Sequence, residues 1–285
     1  MKKLLFQFDT DPQPSSFDVV VAYDGGADHV IPYGNITPDT VGSLVEGTIF
    51  TRAPKDKKNT AIFIGGSNLQ AGQRLLEAVK AQFFGDFRVS VMLDCNGANT
   101  TAAAAVAKLG KSGTLAGKKA VILAGTGPVG QRAAVMLAQE GADVTITSRR
   151  LSQAQAACQA MQDRYGVSLH ALEAPDHAAR ATAIATAHIV FATGATGVAL
   201  LDPEHWLDLP QLELIADANA TPPPGIGGVD VMDRGADRNG KIAWGAIGFG
   251  TLKLALHRAC IARLFESNRE WFDAAEIYAL AKTLA

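Results

Sequence analysis

Cysteine is scarce in this chain. Cys95, Cys158 and Cys260 are an odd, scattered set with no paired spacing, which excludes a disulfide framework and fits reduced thiols in a cytoplasmic protein. Histidine is no more informative. His29, His170, His177, His188, His205 and His257 fall into no His-Glu-x-x-His pattern, and no Cys-x-x-Cys accompanies them. No metal site is expected, and these histidines read as surface or packing residues. The charges nearly cancel, to a net −2, so there is no electrostatic footprint for nucleic acid or a membrane surface. No apolar run reaches the length of a membrane span. Met1-Lys2-Lys3-Leu4-Leu5-Phe6 opens like a signal peptide, but Gln7, Asp9 and Asp11 break the run, and it reads as a first strand. Internal repeats and low-complexity tails are lacking as well.

What is present is a large core-forming fraction. The 285 residues are 48% hydrophobic and 19% charged, enough for one large domain or two of ordinary size. The most informative stretch is 118–130, where an apolar run of strand length enters Gly125-Thr126-Gly127-Pro128-Val129-Gly130 and then a helical run over 131–140. Between a strand and a helix, Gly-x-Gly-x-x-Gly is a dinucleotide-binding fingerprint. Gly125 permits the tight turn, Gly127 lets backbone approach a pyrophosphate, and Gly130 lets helix and strand pack closely. Free N–H groups at the helix N-terminus then face the phosphate charge.

The next strand, 143–147, ends in Ser148-Arg149-Arg150. An NAD-preferring site carries an acidic residue here for the ribose 2′-hydroxyl. A carboxylate would repel a 2′-phosphate, whereas two guanidiniums bind it, so the expected cofactor is NADP. The competing reading is that both arginines are solvated residues starting a helix.

Before this unit, strand-like and helix-like segments alternate. Strands are expected over 4–8, 29–33, 61–64 and 89–93. Ser15 or Ser16 caps a short helix through Val21, Thr37-Pro38 starts a helix through Glu46, and Ser67 caps an amphipathic helix bearing Leu69, Leu75, Leu76, Val79 and Phe83. An Ala-rich helix covers 99–109. Later strands fall at 168–171, 189–193 and 214–216. Pro222-Pro223-Pro224-Gly225-Ile226-Gly227-Gly228 is a shaped loop. Leu252, Leu256, Cys260 and Leu264 mark a helix, and Asp273 with Glu276 opens the last one. The expected fold class is α/β with two domains: a Rossmann-type NADP domain over 111–249, and a discontinuous α/β domain over 1–110 and 250–285, with a cleft between them.

Ligands of open α/β sheets sit outside the carboxyl ends of the strands. That rule selects Asp9, Thr10, Asp94, Asn96, Asp217 and Asn219 as substrate-binding candidates, to which Thr100 is added, and Thr193-Gly194 as a floor for the nicotinamide ribose. Ordinary turn chemistry is the rival explanation for each. Lys253, near the expected start of the 252–265 helix after a Gly-rich run, is the candidate catalytic residue; a solvated lysine is the alternative.

Five segments then carry a specific likeness: 3–11, Tyr23-Asp24-Gly25-Gly26-Ala27-Asp28-His29, the 125–130 loop, 223–228, and 252–262 with Leu252-Lys253-Leu254-Ala255-Leu256-His257. Together they resemble bacterial NADP-dependent methylene-tetrahydromethanopterin dehydrogenase over essentially the whole chain. The resemblance implies oxidation of the methylene group on tetrahydromethanopterin, acceptance of methylene-tetrahydrofolate too, a pterin domain beside the NADP domain, and a homo-oligomer built on a trimer or hexamer. The family's active-site lysine matches Lys253. The loop 110–117 is a little shorter than usual, and Arg149-Arg150 stands where Arg-Lys is expected. In this chemistry the two nitrogens flanking the methylene carbon push out a hydride, so no proton-transfer constellation is needed. Lys253 is therefore expected to bind the pterin away from that carbon or to be neutral through burial, with Asp94 or Asp217 favouring the cation. Two other functions compete: a methylene-tetrahydrofolate dehydrogenase with cyclohydrolase activity, and a non-catalytic NADP sensor.

Overall fold

The computed structural model describes residues 1–285. In chain order the elements are β1 (Leu4–Asp9), α1 (Ser16–Asp24), β2 (His29–Tyr33), α2 (Gly42–Phe50), β3 (Thr60–Gly65), α3 (Leu69–Ala81), β4 (Ser90–Leu93) and α4 (Ala98–Ser112). Then follow β5 (Lys119–Leu123), α5 (Pro128–Gln139), β6 (Asp143–Ser148), α6 (Leu151–Tyr165), β7 (His170–Glu173), α7 (His177–Ile184), β8 (Ile189–Ala192) and β9 (Leu214–Asp217). The chain ends with β10 (Arg234–Arg238), β11 (Lys241–Trp244), α8 (Ala246–Leu264), β12 (Trp271–Phe272) and α9 (Ala274–Leu284). Two compact units result. The first is Met1–Thr100 with Leu254–Leu284; the second is Thr101–Lys253 with the single residue Ala285. Both divides fall inside helices, α4 and α8, whereas the sequence reading set them at 110/111 and 249/250.

The first unit holds a parallel five-stranded sheet in the order β12-β4-β3-β1-β2. Ile62, Ile64, Val91 and Leu93 of its central strands are fully buried against Val45, Ile49, Leu75 and Val79 of α2 and α3. Strands covered on both faces read as continuous apolar runs, which is why β3 is buried throughout.

The second unit holds a seven-stranded sheet in the order β10-β11-β9-β8-β5-β6-β7, parallel except for the β10–β11 pair. Outward from β5, that is the doubly wound order with its switch point between β5 and β8. Val121, Leu123, Val190, Ile215 and the large Trp206 build one face of its core.

Local chemistry moves several boundaries. Ser15 caps α1, accepting the Asp18 amide at 3.2 Å, and the helix runs on to Asp24. Asn68, not Ser67, caps α3, accepting the Ala71 amide at 3.0 Å. Ser67 instead donates through its hydroxyl and amide to Asp11, at 3.0 and 2.9 Å. Thr37-Pro38 does not open α2. Thr40 Oγ1 accepts the Thr37 amide at 3.0 Å and closes a separate turn, so local side-chain bonding outcompetes the helix. The β10–β11 hairpin was not foreseen, although Asn239 and Gly240, with φ of 56° and 78°, supply an Asn-Gly turn. Its edge strand carries Arg234, Asp237 and Arg238, which hides the usual alternation.

Most of the Gly-rich run before Lys253 is helical, since α8 begins at Ala246, just after Gly245. A Cβ on Gly245 would collide with the Asp230 carbonyl oxygen, and one on Gly248 with that of Asp233. These glycines serve close backbone packing at the start of α8, not a break. Lys253 consequently lies in mid-helix, not near its start.

Candidate functional site: two carboxyl edges of two sheets

In the first unit, the loops after β1, β3 and β4 meet at the carboxyl edge of the sheet. The Thr10 amide donates to the Gly65 carbonyl at 3.4 Å, Cys95 Sγ to the same oxygen at 3.4 Å, and the Asp94 amide to Ile64 at 3.1 Å. Asp9, Thr10, Asp94, Asn96 and Thr100 are thereby gathered on one edge. Their roles there differ. Asp9 accepts the amides of Asp11 (2.9 Å) and Ser15 (3.2 Å). Burial pushes its carboxyl above the usual range, and those amides and Gln7 pull it partly back. Asp94 is fully buried and accepts the Asn99 amide at 2.8 Å, the Thr100 amide at 3.2 Å and the Thr100 hydroxyl at 2.6 Å. It thus secures the start of α4, with Thr100 as its partner. Asn96, by contrast, is exposed at the loop tip with φ of 53°. The Thr10 hydroxyl is buried beside Gly66 without a hydrogen-bond partner in the chain.

In the second unit, the carboxyl edge collects the glycine loop after β5, Ser148-Arg149-Arg150 after β6, Thr193-Gly194 after β8 and Asp217 to Asn219 around the end of β9. The glycines divide into two kinds. A Cβ on Gly125 would stand 2.9 Å from the side chains of Ile122 and Ile146, and one on Gly130 would stand 2.6 Å from the Gly125 backbone and from Thr193 Oγ1. Both are therefore set by packing. Gly127 has nothing within 4 Å of such a Cβ, yet it is the N-cap of α5, with Pro128 at the first helical position. No internal contact demands a glycine there. A ligand lying against the helix N-terminus would demand it. Around it, Gln131 Nε2 bonds the Thr126 carbonyl at 2.6 Å, which fixes the loop's shape; Val129 follows in the first turn of α5.

Arg149 and Arg150 are both exposed at the end of β6, while Ser148 is buried and accepts the Arg150 amide at 3.4 Å. Thr193 is tied to Leu123 by its amide at 3.0 Å and by its hydroxyl at 3.1 Å, next to the glycine loop. Gly194 has Leu200 Cδ1 2.9 Å from its virtual Cβ. Asp217 is 2% exposed and accepts the Asn219 amide and the Ile226 amide, each at 2.9 Å. Burial raises its pKa, with the backbone amides opposing. Asn219 links two loops: its oxygen accepts the Gly197 and Thr221 amides, and its nitrogen donates to Pro223. Beside it lies a hollow of about 230 Å³ lined by Asn219, Thr221, Pro222, Pro224 and Val229.

Neither Asp94 nor Asp217 presents its carboxylate to solvent; both hold their own loops. Lys253 is half-buried. Burial drives the Cys260 thiol far upward, so it is not a nucleophile. One grouping escaped sequence reading entirely. His177, Asp202 and His205 place one nitrogen or oxygen each within 4.8 Å of one another. No helix is long and apolar enough to cross a membrane.

The chain resembles known proteins along its whole length. It is 58% identical over 286 residues to "Bifunctional protein MdtA" of Methylorubrum extorquens, covering 100% of this chain and 99% of that one. It is 33% identical over 284 residues to the "NAD(P)-dependent methylenetetrahydromethanopterin dehydrogenase" of the same organism, covering 95% of each. Residues 16–96 match the family described as methylene-tetrahydromethanopterin dehydrogenase, N-terminal. Among solved structures, shikimate 5-dehydrogenase of Listeria monocytogenes aligns with a TM-score of 0.55 at 14% identity, covering 98% of this chain and 96% of that one. The last likeness speaks for the fold alone.

Proposed function

The chain belongs to the methylene-tetrahydromethanopterin dehydrogenase family, and from that premise we propose that it oxidises methylene-tetrahydromethanopterin to the methenyl form with NADP, in one-carbon metabolism. The carrying observation is Gly127, a glycine at a helix N-terminus whose missing side chain faces open space. In this reading the 125–130 loop holds the pyrophosphate, Arg149 and Arg150 hold the 2′-phosphate, and Thr193-Gly194 lies under the nicotinamide ribose. The first unit takes the pterin, with Thr10 and Asn96 as its direct contacts. Asp9, Asp94 and Asp217 keep the surrounding loops in shape, with Thr100 and Asn219 as their partners.

The methylene carbon lies between two nitrogens whose lone pairs stabilise the cation left when a hydride departs. Bound NADP supplies the hydride acceptor. The protein's task is to align the two rings and exclude water, which needs no general base. A full positive charge beside the forming cation would oppose the reaction. Lys253 therefore binds the pterin through atoms remote from the reacting carbon. The same reading extends to methylene-tetrahydrofolate as a second carrier, to a homo-oligomer built on a trimer, and to a cytoplasmic location.

The test is formation of the reduced nicotinamide by the purified protein with each carrier and with NADP or NAD in turn. Turnover with NADP and the methanopterin carrier is expected. Turnover with the folate carrier alone, or hydrolysis of the methenyl product, would move the chain to the folate dehydrogenase/cyclohydrolases. Tight NADP binding without hydride transfer would leave a sensor.

A further inference from the structure

His177 is the first residue of α7, held there because Asp176 caps the helix by accepting the Ala179 amide at 2.8 Å. Asp202, 25 positions later, caps the 3-10 turn Pro203–His205. The turn is closed reciprocally: the Asp202 carboxylate accepts the His205 amide, and the Asp202 amide donates to His205 Nδ1 at 3.0 Å. Two independent caps thus aim three side chains at one point. Asp202 Oδ2 lies 2.7 Å from His177 Nδ1 and 3.9 Å from His205 Nδ1. The two rings meet edge to face, with centroids 6.0 Å apart and planes at 78°.

We propose that His177, Asp202 and His205 form a binding site for a zinc-type divalent transition-metal ion, separate from the site of hydride transfer. The two donor separations bracket the ~3.4 Å edge expected of a tetrahedral ion with bonds of about 2.0–2.1 Å to nitrogen and oxygen. The edge-to-face rings let two imidazole nitrogens converge without clashing. Two nitrogens and one oxygen select zinc, nickel or copper over magnesium or calcium, which prefer all-oxygen shells. The side chains are 40%, 46% and 22% exposed, so the ion enters from solution and water completes its shell. Entry replaces the His177–Asp202 hydrogen bond, and His177 then carries its proton on Nε2. It also replaces the amide bond on His205 Nδ1, a modest loss against two metal–nitrogen bonds. The bound ion ties α7 to the segment that follows Leu201, whose strand-like pairing with Ile226 anchors the Pro-rich loop.

The experiment is calorimetric titration of the tag-free, chelator-stripped full chain with Zn²⁺, paired with thermal melting. Expected are one saturable zinc per chain and a melting temperature that rises with zinc. His177→Gln and His205→Gln should each weaken binding at least ~10-fold and abolish the zinc-dependent melting shift. Glutamine at 205 can still accept the Asp202 amide, and circular dichroism would verify the fold. His170→Gln, in the exposed His170–Asp143 pair at 3.0 Å, should leave binding unchanged. Absence of saturable binding, or binding that survives both His177→Gln and His205→Gln, overturns the proposal.

Discussion

Gly130 packs directly on Gly125: a Cβ at Gly130 would lie 2.6 Å from both the Cα and the carbonyl oxygen of Gly125. The third glycine of the loop is thus fixed by the first, and the middle one is fixed by neither. Substitution separates the two kinds. Gly130→Ala should cost about 1–3 kcal/mol of stability through overpacking, read from denaturant unfolding. Gly127→Ala should unfold like the wild type and bind NADP at least ~10-fold more weakly. Equal stability losses for both would remove Gly127 from the phosphate site.

Arg149 and Arg150 stand exposed just past the end of β6, and in the proposed function they hold the 2′-phosphate. Removing one charge-assisted hydrogen bond is worth roughly a factor of ten or more. Arg149→Ala and Arg150→Ala should each raise the KM for NADP by about that factor and leave the KM for NAD nearly unchanged. Parallel increases for both cofactors would mean a general structural effect instead.

Lys253 lies half-buried midway along α8. Lys253→Met keeps its length and apolar stem. The expected result is a loss of ~10² in kcat/KM for the pterin, in line with a lost charged contact. NADP affinity, followed by fluorescence titration, should stay within about twofold. Wild-type kinetics would take Lys253 out of the pterin site.

Asp217 gives a pH signature. Burial raises its folded pKa above the ordinary 3.8, so the folded chain keeps this proton to higher pH than the unfolded chain does. The group favours folding below 3.8, and that contribution is lost as pH rises through the raised value. Unfolding midpoints of wild type and Asp217→Asn, compared along this window, should show the wild type losing ground as pH rises. A difference that is flat with pH would contradict the assignment.

Gly248→Ala tests the start of α8. The added methyl would collide with the Asp233 carbonyl oxygen, so the helix must shift. Alanine favours an isolated helix by about 1 kcal/mol over glycine, yet here it should lower the melting temperature. An increase would show that the turn at Asp230 to Asp233 yields freely.

The sequence made the nucleotide unit legible because its signals are local: an apolar strand, glycines at fixed offsets, then a helix. The aspartates at the ends of β1, β4 and β9 were legible as positions and not as roles. Aspartate binds ligands and ties turns with the same two oxygens, and only the buried amides of Asn99, Thr100, Asn219 and Ile226 show which task Asp94 and Asp217 perform. Gly245 and Gly248 misled for a related reason. A glycine pattern signals lost side chains, and whether the room goes to a turn or to a crossing backbone depends on residues far away in sequence. The His177–Asp202–His205 cluster lay beyond motif reading, because its members come from two caps whose meeting is set by the packing of α7.

The chain leaves its first unit at Thr100 and returns to it at Leu254, and this sets an order for synthesis on the ribosome. Thr101–Lys253 emerges as one unbroken piece and can close its sheet while the rest is still being made. The strands β1 to β4 can pair among themselves, but the outer edge of β4 must wait, because its partner, Trp271–Phe272, is made only after the whole of Thr101–Lys253. Until then β4 is an open apolar edge, able to pair with another nascent chain. The strand β4 is made before Thr101–Lys253 and its outer partner β12 after it, so that edge stays exposed to aggregation for as long as the intervening stretch takes to translate.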